Sequence, residues 1–195
     1  MIVLVEMYVS LLPVILAGIL NMVWVKSPFI NSLKKPMDNG KILRDGKRLF
    51  GDNKTWKGFV GMIVLTIISA VIWGLACELM SLTRHNYLYR NYDNTLIYNL
   101  IIGFFLGLAY AVFELPNSFL KRRIDITPGK AIGGAKGVFF IFLDQADSIF
   151  GCVLVLSFVY EMSFIFYLLY VCVGAITHIV LNMLLYFLRL RKNMF

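Results

Sequence analysis

Five runs of apolar residues, each long enough to cross a bilayer as a helix, constrain this 195-residue chain more than any other feature. They cover approximately residues 3–25, 59–79, 95–115, 138–160 and 164–188. A hydrocarbon core about 30 Å thick needs roughly 20 apolar residues at about 1.5 Å of rise each. Hydrophobic residues make up 59% of the chain and charged residues 15%, against about 45–50% and about 25% in soluble domains. That balance excludes a water-soluble enzyme, and it is the opposite of what a disordered chain needs. The first run has no basic flank and carries Glu6, so it reads as a retained helix and not as a signal peptide. Trp24, Trp56, Tyr98 and Tyr160 lie near the expected boundaries, where interfacial anchors belong. The expected fold is an all-α integral membrane protein of five transmembrane helices, a single domain over residues 1–195.

The scarce charge is unevenly placed. Of the 19 Lys and Arg residues, nine lie between Lys26 and Lys57, five between Ser118 and Gly137, and three in the tail at Arg189, Arg191 and Lys192. Only Arg84 and Arg90 fall in the remaining segments. The positive-inside rule puts the loops 26–57 and 118–137 and the tail in the cytoplasm, with the N-terminus outside. In a membrane protein such loops report topology first, so the net charge of +8 points to no nucleic acid partner. Cys77, Cys152 and Cys172 sit inside apolar runs without metal-type spacing, which argues against disulfides and zinc.

Four acids fall near the same side: Asp52, Glu114, Asp144 and Asp147. The stretch Leu143-Asp144-Gln145-Ala146-Asp147-Ser148 is the strongest of the signals, because an ionised Asp at membrane depth costs about 2.5–3.5 kcal/mol on insertion scales. The i, i+3 spacing puts both carboxylates on one helix face. They repel unless a cation lies between them or one is protonated. Oxygen ligands without Cys or His suit Mg²⁺ or Mn²⁺. A salt-bridged packing pair and a proton relay are the other readings.

Three further stretches carry phosphate-type chemistry. In Glu114-Leu-Pro-Asn-Ser-Phe-Leu-Lys-Arg-Arg123, Pro116 is expected to stop or kink the third helix. The cations that follow read either as a stop-transfer cluster or, with Asn117 and Ser118, as phosphate ligands. Pro128-Gly-Lys-Ala-Ile-Gly-Gly-Ala-Lys-Gly137 could line an anion with backbone N–H groups, but Ala131 rules out a Walker A loop. In Arg44-Asp-Gly-Lys-Arg-Leu-Phe-Gly-Asp-Asn-Lys-Thr-Trp-Lys-Gly58, Thr55 fits a helix cap, and the helix N-terminus favours a bound phosphate. His178 and Asn182, spaced i, i+4, read as a buried polar helix contact, and Gly103, Gly107 and Gly174 as close helix packing. Residues 84–94 read as a plain outer loop.

These blocks resemble the CDP-archaeol synthase family and, more distantly, the CDP-diacylglycerol synthases. The matching pieces are Asp45–Gly58, Phe113–Arg123 and Asp144–Ser148; the last two are similar to a Ser-x-x-Lys-Arg … Asp-x-x-Asp signature. The resemblance implies a membrane cytidylyltransferase that joins CTP to a lipid phosphate and releases pyrophosphate, with Mg²⁺ as cofactor and Mn²⁺ as an alternative. It implies that Asp144 and Asp147 hold the metal, with Glu114 as a third candidate. It assigns Asp52, Lys54, Thr55, Asn117, Ser118, Lys121, Arg122 and Arg123 to the nucleotide and its phosphates, and gives catalytic roles to Asp144, Asp147, Lys121 and Lys54. Catalysis is then expected at the cytoplasmic interface of the cell membrane, and a homodimer is allowed. Two other readings remain open: a CTP-dependent polyprenol or lipid kinase, and a cation transporter using the Asp pair.

Overall fold

In the computed structural model, residues 2–127 and 134–189 are described, except the side chains of Ala135 and Lys136. Five long helices account for the apolar runs: α1 (Ile2–Lys26), α2 (Trp56–Leu79), α3 (Leu96–Arg123), α4 (Gly134–Val159) and α5 (Phe164–Phe187). All five are long and apolar enough to cross a membrane. No β-strand occurs among the described residues; two isolated bridges, Pro36 with Thr55 and Ile42 with Arg48, shape the loop between α1 and α2. Ser and Thr side chains start three helices. Thr55, Thr95 and Ser163 each accept the N–H three residues on, at Gly58, Tyr98 and Phe166, so one otherwise unpaired donor is satisfied at each start.

The bundle packs through glycine. α2 lies on α3 where Gly103 and Gly107 face Ile67 and Ile63: a Cβ on either glycine would stand 2.8 Å from an isoleucine Cα. α3 meets α4 at Gly151, and α4 meets α5 where Gly174 faces Ile149. Lipid offers no hydrophobic drive for helices to associate, so close backbone approach supplies dispersion contact instead. The expectation for Gly103, Gly107 and Gly174 is met.

Two sequence expectations change. First, α3 does not end near residue 115. It runs through Pro116 to Arg123, so Asn117, Ser118, Lys121, Arg122 and Arg123 stand on a helix and not in a loop. Pro116 removes one backbone donor, which membrane helices tolerate when neighbouring groups hold the backbone in place. Here Ser118 Oγ donates to the Glu114 carbonyl at 3.0 Å, and the turns beyond Pro116 are tied to the rest of the protein, as described below. Second, the segment between α2 and α3 is not a plain loop. It forms two 3-10 turns, Thr83–His85 and Tyr87–Tyr89, with Tyr87, Leu88 and Tyr89 buried. Tyr87 N–H donates to Ser10 Oγ at 2.8 Å, Tyr89 Oη donates to Asn99 Oδ1 at 2.8 Å, and Arg90 pairs with buried Glu6 at 2.6 Å. The segment plugs one end of the bundle, and Glu6 is its anchor.

Replacing Gly107 by Val should push α2 from α3, because the first new atom meets backbone and no side chain can yield. The overpacking should cost about 1–3 kcal/mol, read as a lower thermal unfolding midpoint in detergent.

Candidate active site

One face of α3 carries Glu114, Asn117, Ser118 and Lys121, at steps of three, one and three residues, which stacks them along a single stripe. It looks across at Asp144 and Asp147 on α4. Asn117 joins the two carboxylates: its Nδ2 donates to Asp144 Oδ1 at 2.6 Å and to Asp147 Oδ2 at 2.8 Å. Lys121 Nζ forms an ion pair with Asp144, and Lys54, from the loop before α2, pairs with Glu114. Asp147 also accepts the Ser148 N–H at 2.6 Å. The repulsion expected between the two aspartates is therefore relieved by an amide bridge and a lysine.

Lys54 is three-quarters buried, with 24% of its side chain exposed. Burial works against its charge, but the Glu114 carboxylate outweighs that and holds the ammonium above its ordinary pKa. Behind this layer α5 supplies His178 and Asn182. Asn182 Nδ2 donates to Gln145 Oε1 at 2.5 Å, and His178 Nδ1 lies 3.3 Å from the Gln145 carbonyl oxygen. The pair is the buried helix contact that its spacing implies.

These groups line the polar end of a cavity of about 740 Å³ that continues along α1 and α5 between apolar walls. Two buried polar atoms at that end, Asn117 Oδ1 and Arg122 Nε, have no hydrogen-bond partner among the described residues. Buried polar atoms normally find partners, so the two orphans mark a place prepared for a polar ligand. Arg122 lines the cavity and forms no ion pair among the described residues.

The loop that delivers Lys54 is organised around Asp38, a residue the sequence reading did not single out. Its carboxylate is fully buried and accepts Arg48 Nη2 at 2.6 Å, Arg48 Nε at 3.2 Å and the N–H groups of Gly40, Phe50 and Gly51, each at 3.0 Å. Burial would raise its pKa, but the guanidinium and these N–H groups hold the carboxyl well below the usual range. The signal was present as Pro36-Met-Asp-Asn-Gly40, a turn-forming acid ten residues before an arginine. The loop is then clasped to the end of α3. Arg123 pairs with Asp45 at 2.5 Å and donates to the Arg48 carbonyl, while Lys47 Nζ reaches Asp125 and the Arg123 carbonyl at 2.8 Å each.

The other expected residues divide accordingly. Lys54, Glu114, Asn117, Ser118, Lys121, Arg122, Asp144 and Asp147 all line the cavity. Asp52 does not: 72% of its side chain is exposed and it pairs with Arg48 at 2.9 Å, so three of the four acids line the cavity. The Thr55 hydroxyl is committed to capping α2. Arg123 is spent on the clasp. Of the glycine–lysine stretch, residues 128–133 and the Lys136 side chain lie outside the described residues, as do Arg191 and Lys192. Among the described residues no group of three or more His, Cys, Asp or Glu side chains is placed to hold a metal ion. Glu114 is turned to Lys54, which leaves Asp144 and Asp147 as a two-carboxylate pair.

The family model for CDP-archaeol synthases of the CarS-like type matches residues 1–195. This chain belongs to that family. It is 36% identical to the CDP-archaeol synthase of Pyrococcus furiosus over 103 residues, 53% of this chain and 54% of that protein. It is 38% identical to the Pyrococcus horikoshii synthase over 104 residues, again 53% and 54%. The matches thus span about half the length of these relatives. With the Pyrobaculum islandicum synthase, 29% identity extends over 162 residues, 83% of this chain and 82% of that protein. A solved structure described as an intramembrane enzyme for archaeal membrane lipids biosynthesis superposes with a TM-score of 0.60 at 21% identity, covering 90% of this chain and 92% of that one. The shared fold is a multi-pass helical membrane protein.

Two outcomes test the geometry directly. Arg123→Ala should free the loop from α3, at a cost of about 1.5–3 kcal/mol for the lost charged hydrogen bonds, and hydrogen exchange over residues 41–54 should accelerate. Glu114→Gln removes the group that raises the Lys54 pKa. A raised lysine stabilises the fold fully below its ordinary pKa and less as pH rises through the raised value. The variant should therefore lose that stabilisation at neutral pH, with its deficit against wild type shrinking as pH rises through the raised value, and Lys54 should titrate at lower pH in chemical-labelling profiles.

Proposed function

We propose that this protein is a CTP:lipid-phosphate cytidylyltransferase that makes a CDP-lipid and releases pyrophosphate. The phosphate oxygen of the lipid attacks the α-phosphorus of CTP, and the bond from that phosphorus to the pyrophosphate oxygen breaks. A phosphate monoester has its second pKa at about 6, so the nucleophile is already ionised near neutral pH and no strong base is required. The difficulty is electrostatic, because a dianion must approach a polyanion. Lys54, Lys121 and Arg122 around one cavity address that difficulty, and holding both substrates in line addresses the entropy. The observation that carries the reading is the continuity of that charged chamber with an apolar passage: a nucleotide fits one part and a lipid the other.

The donor set suits a divalent ion. Asp144 and Asp147 on one helix face, with the orphaned Asn117 Oδ1 between α3 and α4, are hard oxygen ligands. Two carboxylates with substrate phosphates and water are a usual environment for Mg²⁺, with Mn²⁺ an alternative. When bound, the ion would neutralise phosphate charge and polarise the α-phosphate. Asn117 and Lys121 already bond these carboxylates. With an ion and a polyphosphate bound, Lys121 would turn from Asp144 to phosphate. Sidedness follows from the basic loops: the chamber opens to the cytoplasm, CTP enters from water, and the lipid phosphate, an archaeal-type ether lipid in view of the family, arrives from the leaflet.

Purified protein in lipid should release pyrophosphate from CTP only when lipid phosphate and Mg²⁺ are both present. CDP with a newly phosphorylated lipid would identify a kinase, and ion flux without CTP would identify a transporter. Asp144→Asn and Asp147→Asn should each lower turnover by about 10²-fold or more, as expected for losing several kcal/mol of charge stabilisation. Both variants should still fold, by circular dichroism and thermal midpoint. Full activity in both would remove the pair from the reaction.

A further inference from the structure

Most of the exposed apolar side chains of this protein lie on the five helices, where lipid covers them. Phe29 and Ile30 do not. At 69% and 55% exposed, they stand side by side in the turn that follows α1. Ile30 also has a left-handed backbone, with φ 50° and ψ 51°. A β-branched residue avoids that conformation, which glycine or asparagine adopts with less strain. The turn thus carries a strained residue and two large apolar side chains, and the protein covers little of either.

Where this turn stands relative to the bilayer follows from its two ends. Val23, near the end of α1, is 58% exposed on an apolar helix face, so the hydrocarbon reaches at least that far. Just beyond it the chain is pinned to the start of α2. The ammonium of fully buried Lys57 lies over the Trp24 ring, 5.0 Å from its centroid, and donates to the Ser27 carbonyl at 2.6 Å. The chain returns at Lys35, whose carbonyl accepts the Trp56 N–H at 3.1 Å. Residues 27–35 are therefore an excursion that begins and ends on the first turn of one spanning helix. Phe29 is two residues from Ser27, so its Cα is at most about 8 Å away. The polar layer on each side of the hydrocarbon is about 5–8 Å thick. The tether is too short to carry Phe29 and Ile30 clear of that layer.

The charges on the same excursion have one sign. Lys34 and Lys35 are exposed, and the sequence has no acid between Glu6 and Asp38. Asp38 is itself buried against Arg48. Apolar side chains flanked by lysines, with no carboxylate among them, fit the boundary between acyl chains and anionic headgroups. We propose that residues 28–35 form a docking surface for anionic lipid. Phe29 and Ile30 enter the leaflet, and Lys34 and Lys35 hold lipid phosphates beside them. Docking does not require the reaction proposed above, but it serves it. Val25 and Lys26, just before the turn, line the cavity, so anionic lipid gathered here is next to the chamber that would use it.

The test places a spin label at Phe29→Cys in a Cys172→Ser background, since Cys172 is exposed while Cys77 and Cys152 are buried. The protein is reconstituted in vesicles of phosphatidylglycerol and phosphatidylcholine, and power saturation compares collisions with oxygen and with a water-soluble nickel complex. The label at Phe29→Cys should favour oxygen, as one at Leu20→Cys on the exposed face of α1 does. One at Asn39→Cys, an exposed turn of the same loop, should favour nickel. A Phe29→Cys label as open to nickel as the Asn39→Cys label would overturn the proposal. So would shielding from both reagents, which is what a second copy or another protein on the turn would give. If Phe29→Cys does not fold, Ile30→Cys is read in the same way. For the lysines, native mass spectrometry measures the lipid retained from the same vesicles. Lys34→Gln with Lys35→Gln should lower the ratio of phosphatidylglycerol to phosphatidylcholine at least about fivefold, the effect of roughly one lysine near an anionic surface. An unchanged ratio, or loss of phosphatidylglycerol from wild type on adding inorganic phosphate, would refute a lipid-docking surface.

Discussion

Ionised groups inside a bilayer persist only if something nearby repays their desolvation, and the architecture of this protein follows from how it meets that demand. Asp144 and Asp147 lie within the fourth spanning helix, where they repel one another and have little water. The Asn117 amide gives each a hydrogen bond, and Lys121 gives Asp144 a cation. Both partners come from α3 and both lie beyond Pro116. Had α3 stopped at that proline, neither could reach the aspartates. The extra turns of α3 and the carboxylates of α4 therefore depend on one another, and the cavity is the space between them that the pairing leaves unfilled.

A charged chamber held this way is also held loosely enough to change partners. Three of the cations that line the cavity have either a carboxylate they can exchange for phosphate or no ion pair among the described residues. Lys54 and Lys121 are of the first kind and Arg122 of the second. A buried pair that loses one member is destabilised strongly, but a pair whose members both find new partners is not. A divalent ion and a polyphosphate arriving together satisfy both sides, whereas either alone leaves one side short. This is a physical basis for interdependent binding of nucleotide and metal.

Much of this was legible in the sequence, for reasons that differ by residue. The five helices follow from length and apolarity, which no tertiary contact overrides in lipid. The Asp144–Asp147 pair is visible because intramembrane charge is costly enough to be rare. The plug at residues 83–90 was invisible, since Tyr87, Leu88 and Tyr89 in a polar, Asn-rich stretch have the composition of any loop, and only contact with Ser10 and Glu6 buries them. Asp38 was hidden for a similar reason: a turn aspartate is ordinary until its partner Arg48 folds back on it. Asp52 was misplaced because nearness in sequence to Lys54 says nothing about which way a turn faces.

The triplet Lys121-Arg122-Arg123 shows the limit most clearly. As a run of three cations it reads as one feature, whether a topology signal or a phosphate clamp. On a helix, successive residues are rotated by about 100°, so three neighbours cannot face one ligand. Lys121 faces Asp144, Arg122 faces the cavity, and Arg123 faces the loop, where it holds Asp45 and the Arg48 carbonyl. The error of treating them as a unit came from ending α3 at Pro116, which turned helical positions into loop positions. With the helix extended, one short stretch does three jobs. It quiets the carboxylates, leaves a cation for phosphate, and fixes the loop that brings Lys54 in from the other side. Arg123 thereby acts on the site through the Asp38 loop, so a charge that the resemblance assigns to phosphate is the one that sets where another charge stands.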